Sequence, residues 1–188
     1  MVLVFSMISQ KVNVSMVKGA DRKAFFFDRD GVINIDHGYV SKIEDFTFTD
    51  GIFPVLRALK DKGYDLIVVT NQSGIGRGYY AETDFEQLTE WMLSQLDSEG
   101  IHIAAVYHCP HSPEADCSCR KPAPGMILQA IHEHGIDPAL SWMVGDKPSD
   151  MQAAAAAGIY NRVLLGGAVS GHSTHQVFEL SELLDLPL

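Results

Sequence analysis

Short apolar runs recur along this chain, and most of them stop at a polar residue fit for chemistry. Ala24-Phe25-Phe26-Phe27 runs into Asp28, Leu66-Ile67-Val68-Val69 into Thr70, and Trp142-Met143-Val144-Gly145 into Asp146. Residues 103–107 (Ile-Ala-Ala-Val-Tyr) and 162–165 (Arg-Val-Leu-Leu) add two more runs. Each has strand length, and near-continuous apolarity suits strands buried on both faces. Stretches with helical spacing alternate with them. Residues 52–62 carry Val55, Leu56 and Leu59 before Gly63, and residues 81–99 carry Phe85, Leu88, Met92 and Leu96 on one stripe. Residues 125–134 end before Gly135, and residues 149–157 end before Gly158 with Ser149 expected to cap their first turn. Residues 177–184 read as a weaker fifth helix. This alternation predicts an α/β fold, a parallel sheet with helices on both faces.

Charge and the ends of the chain limit what such a fold can do. The 188 residues carry 14 Lys and Arg against 24 Asp and Glu, a formal net charge of −10. A general nucleic-acid binder is basic, so nucleic acid is not the expected partner. No apolar run reaches the ~18 residues of a membrane span. Residues 1–22 differ in character from the rest and read as an extension, an extra strand or a loose segment, with a signal peptide as the alternative. Residues 23–188 are expected to form one domain. No exposed apolar stripe stands out, so a monomer is expected. All three cysteines lie between positions 109 and 119, an odd and clustered set that argues for a metal and a reducing, cytoplasmic setting rather than for disulfides.

In a parallel α/β sheet, function gathers at the carboxyl ends of the strands. Here those ends read Asp28-Arg29-Asp30-Gly31, then Thr70-Asn71-Gln72-Ser73, then Gly145-Asp146-Lys147 with Asp150 one turn on. Lys121 lies in a loop between the third and fourth runs. Alone, each is what a turn, a cap or a surface lysine looks like. Together they form a set that chance seldom supplies. Carboxylates of Asp28, Asp30 and Asp146 brought together would repel each other, and Mg²⁺, which prefers oxygen ligands, would relieve this. A carboxylate can attack phosphorus, and a second carboxyl can exchange the proton. Phosphoryl transfer needs mainly positioning and charge neutralisation, which Thr70, backbone amides near Asp30, Lys121 and Mg²⁺ could supply.

The same four segments resemble the motifs of the haloacid dehalogenase superfamily of phosphatases. Phe27-Asp28-Arg29-Asp30-Gly31-Val32, Val69-Thr70-Asn71, Arg120-Lys121-Pro122, and Val144-Gly145-Asp146 with Asp150 match them in order, over about residues 23–165. The resemblance implies a Rossmann-like fold, and no stretch between the motifs is long enough to form a large cap domain. It implies Asp28 as nucleophile and Asp30 as general acid/base. It further implies Mg²⁺ held by Asp28, the Asp30 carbonyl and Asp146, with Thr70 and Lys121 stabilising the transferring phosphoryl group. Asp150 would orient Lys121 or a metal-bound water.

Cys109-Pro110-His111 and Cys117-Ser118-Cys119 offer four ligands in a Pro- and Ser-containing loop. Four such ligands suit a closed, structural Zn²⁺ site that would pin the loop leading to Arg120 and Lys121. His108 competes with His111, and the alternating spacing favours His111. With this loop added, the chain is similar to the family of D-glycero-D-manno-heptose 1,7-bisphosphate 7-phosphatases. The matching residues include Asp36-His37-Gly38-Tyr39-Val40, Thr70-Asn71-Gln72-Ser73-Gly74-Ile75 and Cys119-Arg120-Lys121-Pro122. That resemblance implies hydrolysis of the 7-phosphate of a sugar bisphosphate, in nucleotide-activated heptose synthesis for lipopolysaccharide. It implies substrate contacts from Asp36, His37, Gly38, Tyr39, Thr70, Asn71, Gln72, Ser73, Arg120, Lys121 and Lys147. Arg120 and Lys147 suit a second phosphate. Histidinol-phosphate phosphatases look similar in the same motifs and are the alternative.

Overall fold

The computed structural model describes residues 4–5 and 22–188. Seven parallel strands form one sheet: β1 (Val4–Phe5), β2 (Ala24–Phe27), β3 (Asp65–Asn71), β4 (Ala105–Cys109), β5 (Trp142–Gly145), β6 (Asn161–Leu165) and β7 (His175–Val177). Their order across the sheet is β1-β4-β3-β2-β5-β6-β7. The helices are α1 (Ile52–Asp61), α2 (Ser73–Gly76), α3 (Glu82–Ser98), α4 (Gly125–His134) and α5 (Pro148–Ala156).

The side-chain alternation of a strand divides each apolar run between two cores. Phe25, Phe27, Leu66, Val68, Val106 and Val144 join one buried cluster with Val55, Leu56 and Leu59 of α1 and with Phe85, Leu88 and Met92 of α3. Phe26, Ile67, Val69, Tyr107 and Met143 join the other with Met126 and Ile127 of α4 and Met151, Ala153 and Ala154 of α5. Small residues on α5 bring that helix close to the sheet. Gly145 shows how close, since a Cβ there would lie 2.4 Å from Asp150 Oδ2.

The chain adds β3 and then β4 on one side of β2, then returns to lay β5 on the other. Neighbouring strands β2 and β5 therefore send their next segments apart, and the crevice this opens is where ligands bind in such sheets. Pairing of Phe27 with Val144 puts Asp28 and Asp146 at the mouth of that crevice.

Three local expectations need correction. The third run was expected to pair over 103–107, but its ladder with β3 runs from Ala105 to Cys109, opposite Ile67 to Asn71. Helix α5 starts at Pro148 rather than at Ser149, and its free end is closed by Asp150, whose Oδ2 accepts the Lys147 N–H at 3.0 Å. No α-helix covers 177–184. Instead β7 pairs with β6, and a 3₁₀ turn spans Leu180–Asp185, burying Leu180 and Leu183. Their three-residue spacing matches the 3₁₀ period. At the other end, Val4 and Phe5 pair with Val106 and Tyr107. The rest of the expected extension, apart from Arg22, lies outside the described residues.

Candidate active site

Strand β2 delivers Asp28 to the crevice, with its N–H bound to Val144 O at 3.0 Å. The chain then turns sharply, and the Arg29 carbonyl accepts the N–H groups of Val32, Ile33 and Asn34. Gly31 makes the turn possible. It has φ +91°, and a Cβ there would lie 2.4 Å from Asp146 Oδ2. Past the turn, the Asp30 side chain is held by three donors. Arg29 Nη2 donates to both Asp30 oxygens at 2.9 Å, Asn34 Nδ2 donates to Oδ1 at 3.0 Å, and Gln72 Nε2 donates to Oδ2 at 2.9 Å. Arg29 is itself 1% exposed and also donates to Val40 O.

Strand β3 carries Thr70, Asn71 and Gln72 to the same edge. Thr70 is fully buried, and its hydroxyl accepts from Gln72 Nε2 at 2.8 Å. Asn71 clamps the loop that bears Lys121. Its Nδ2 donates to Lys121 O and its Oδ1 accepts the Lys121 N–H, both at 3.0 Å. Lys121 is buried, and its Nζ lies 2.8 Å from Val69 O, 3.0 Å from Asp28 Oδ1 and 2.6 Å from Asp150 Oδ1.

Asp28, Asp146 and Asp150 offer carboxylate oxygens that lie within 4.8 Å of one another. Burial, with help from Asp150 and Asp30, pushes Asp28 up to about 7 despite Lys121. Burial also raises Asp146 above its ordinary range. For Lys121 burial works against the charge, but Asp150 and Asp28 outweigh it and its proton is held more tightly than usual. Lys121 and, at 3.7 Å from Asp146 Oδ2, Lys147 do not offset three carboxylates, and Asp146 Oδ1 is buried with no hydrogen-bond partner. This donor set fits Mg²⁺, which takes oxygen ligands in octahedral geometry. The Asp30 carboxylate is not among these converging groups, and Asp150 stands in the third place.

Above this floor opens a cavity of about 470 Å³ lined by Asp28, Asp30 and Lys121. Asp36, Gly38, Tyr39, Asn71, Gln72, Ser73, Arg120 and Lys147 of the expected substrate contacts line it as well. His37 is exposed and outside that lining, and Thr70 lies beneath it. Lys147 Nζ donates to Asp36 Oδ2 at 2.9 Å. Burial would raise Asp36, but that hydrogen bond and the one from Gly38 N–H hold it below its ordinary range. Arg29, Asn34, Tyr80 and Ser149 were not anticipated as parts of the site. A buried arginine between two aspartates must be paired, so the Asp28-Arg29-Asp30 spacing carried a signal for Arg29. Nothing in the sequence marks Tyr80.

Beside the cavity, Cys109, His111, Cys117 and Cys119 converge. Cys119 Sγ lies 3.1 Å from Cys109 Sγ, 3.4 Å from Cys117 Sγ and 3.2 Å from His111 Nδ1. Cys109 Sγ is 3.5 Å from both Cys117 Sγ and His111 Nδ1. A tetrahedral Zn²⁺ with bonds of about 2.0–2.3 Å sets its ligands roughly 3.6–3.8 Å apart, so the cluster fits that ion with a slight expansion. His108 stands apart, bound to Glu82 and packed on Phe85. The cluster loop continues straight into Arg120 and Lys121, and Arg120 reaches back to His111 O at 3.5 Å.

Comparison with known proteins shows the family of the chain. The family model for haloacid dehalogenase-like hydrolases matches residues 34–158. The D-glycero-β-D-manno-heptose-1,7-bisphosphate 7-phosphatase of Haemophilus ducreyi is 49% identical over 175 residues, covering 88% of this chain and 96% of that one. The protein of the same name from Helicobacter pylori is 50% identical over 167 residues, covering 87% and 96%. The crystal structure of D,D-heptose 1,7-bisphosphate phosphatase from B. bronchiseptica, complexed with magnesium and phosphate, superposes with a TM-score of 0.78 at 28% identity, covering 87% of this chain and 98% of that one. A parallel sheet with a shared edge crevice, a family match across two thirds of the chain and relatives at half identity lead to one conclusion: the chain belongs to the haloacid dehalogenase-like hydrolases and is a phosphoric monoester hydrolase.

Proposed function

We propose that the protein hydrolyses the 7-phosphate of D-glycero-D-manno-heptose 1,7-bisphosphate and releases the heptose 1-phosphate. The observation that carries this reading is a second pair of cations, Arg120 and Lys147, lining the cavity that also holds Asp28 and Lys121. One cationic centre serves the reacting phosphate and the other a phosphate that stays on the sugar. The relatives' names support the same substrate.

In the first step an Asp28 oxygen attacks phosphorus, the bond from phosphorus to the 7-oxygen breaks, and the Asp30 carboxyl gives its proton to that oxygen. In the second step a water oxygen attacks the aspartyl phosphate and passes a proton to Asp30. The Asp28–phosphorus bond breaks, which frees inorganic phosphate and restores both side chains. Lys121 and Thr70 hold the phosphoryl oxygens, and Asp150 holds Lys121. Asp28, Asp146 and the Asp30 carbonyl would hold Mg²⁺, which neutralises the carboxylates and draws charge from the phosphoryl group. Asn71 and Gln72 are spent on internal bonds, so sugar hydroxyls meet Asp36, Gly38, Tyr39 and Ser73, with His37 at the rim. Cys109, His111, Cys117 and Cys119 would hold Zn²⁺, which would stiffen the Arg120-Lys121 loop. Residues 23–188 act as one phosphatase domain, monomeric and cytoplasmic, supplying the heptose 1-phosphate that goes on to nucleotide-activated heptose for lipopolysaccharide.

The test is phosphate release with Mg²⁺ from the heptose bisphosphate and from histidinol phosphate. The expected kcat/KM is at least ~100-fold higher for the heptose, about 2.7 kcal/mol of discrimination. The reverse ratio would move the enzyme to histidinol phosphate.

A further inference from the structure

We propose that Tyr80, acting through the Gln72 amide, is the positioning residue that aims Asp30 at the leaving oxygen. The inference rests on the reading of Asp30 as proton donor given above.

Gln72 was expected to touch substrate, but both ends of its side chain are taken. Its Nε2 donates to Asp30 Oδ2 at 2.9 Å and to Thr70 Oγ1 at 2.8 Å. Its Oε1 accepts the Tyr80 hydroxyl at 2.6 Å. The residue is 2% exposed, and its backbone N–H is tied to Cys109 O. The amide therefore bridges the acid and the phosphoryl-binding hydroxyl, and it does so in only one of its two orientations. Reversed, it would set a carbonyl oxygen against the Asp30 carboxyl. Tyr80 supplies the partner that the carbonyl end needs when the amide points the right way. Burial raises the Tyr80 hydroxyl to about 12, so it stays a donor throughout the working range.

The tyrosine is itself held. A Cβ on Gly74 would lie 2.1 Å from the Tyr80 ring, and the Tyr79 N–H binds Gly74 O at 2.8 Å. Gly74 is buried at the start of α2, in the turn that follows Gln72. One short segment thus carries both the amide and the seat of the ring that orients it. Removing the hydroxyl leaves Oε1 buried without its donor, which favours reversal of the amide or a shift of the whole side chain.

Tyr80→Phe keeps the ring and removes only the donor. Gly74→Ala keeps the donor and displaces the ring. Both act at a distance from the reacting atoms, so they are read by their dependence on the leaving group. A sugar alkoxide needs the proton from Asp30, whereas 4-nitrophenolate departs without one. Tyr80→Phe is expected to lower kcat/KM on the heptose bisphosphate, which covers only the steps up to departure of the leaving group, by about 10-fold, a part of the 10²–10⁴ that general acid catalysis supplies. On 4-nitrophenyl phosphate the loss in kcat/KM should stay under ~2-fold, with the melting temperature near wild type, whereas kcat, which also contains the attack of water assisted by Asp30, is expected to fall on both substrates. Gly74→Ala should show the same selectivity. Equal losses of kcat/KM on the two substrates, or no loss of kcat/KM on the sugar phosphate, would overturn the inference. The comparison needs only one sugar phosphate that the wild-type enzyme accepts. A wrong substrate assignment therefore shows in the wild-type control, and a wrong assignment of Tyr80 shows in the ratio.

Discussion

The acidic floor and the cysteine cluster both gather metal-ligating side chains, but by different routes. The floor draws on Asp28, Asp146 and Asp150, and the first two meet only because β2 and β5 are neighbours in a sheet whose order reverses there. The cluster draws on Cys109 at the end of β4 and on His111, Cys117 and Cys119 in the loop that follows it. Each region on its own is unfinished in a different sense. The floor carries three carboxylates, with Lys121 on two of them and Lys147 at 3.7 Å from the third, the latter shared with Asp36. In the cluster, burial pushes the Cys109 thiol far up, so it has protons to lose before it can act as a ligand set. The floor is anchored by rigid strand ends and keeps its shape whatever fills it, as a reaction centre requires. The loop has few such anchors, so its shape depends on what it binds. The difference predicts that damage to the floor removes activity and spares stability, whereas damage to the cluster does the opposite first.

Asp28→Asn breaks the floor most severely. Turnover should fall by on the order of 10⁴-fold or more, the scale of removing a nucleophile. Stability should change by less than ~1 kcal/mol, because Lys121 keeps Asp150 and Val69 O as partners. Phosphate release and thermal melting on the same preparation check both halves, and retained turnover would remove Asp28 as nucleophile. Cys117→Ser is the counterpart in the loop. Bound zinc should disappear by elemental analysis, and the melting temperature should drop by ~5 °C or more. Turnover should fall by only about 10-fold, through a loosened Arg120 and Lys121. Wild-type protein that carries no zinc as purified would end this half of the comparison.

The two regions also differ in how readily they are read from residue order. A Cys-x-His and a Cys-x-Cys close in sequence announce a ligand set without any knowledge of the fold. The floor becomes legible only after the apolar runs are recognised as strands, since the rule that places Asp28, Thr70 and Asp146 together is a rule about sheet edges. What stayed hidden was direction. Nothing in Thr70-Asn71-Gln72-Ser73 tells that Asn71 turns to the Lys121 backbone and Gln72 to Asp30, while Ser73 alone of the later three is left facing the cavity without such a tie. Lys147 and Asp36 pair across a long stretch of chain, which local pattern does not reveal. The segment after β7 has helical composition, but Leu180 and Leu183 set a three-residue spacing and Pro187 follows at once. Tertiary packing decided it as a 3₁₀ turn.

The gentlest probe leaves both regions intact and varies the proton. Without a cation, burial puts Asp28 near about 7. A cation can use that oxygen only after the proton has left. Below this value each unit of acidity should therefore weaken Mg²⁺ binding by about tenfold, and above it the affinity should level off. The direction follows from the raised value: acid fills the ligand with a proton, and base clears it. Titration calorimetry with Mg²⁺ in two buffers of different ionisation enthalpy measures the released proton directly. Release approaching one proton per ion below about 7, and fading above it, is the expected result. An affinity flat across that range would mean that Lys121 already keeps Asp28 charged, and the floor would then be a pre-ionised site rather than one whose charge waits on the metal.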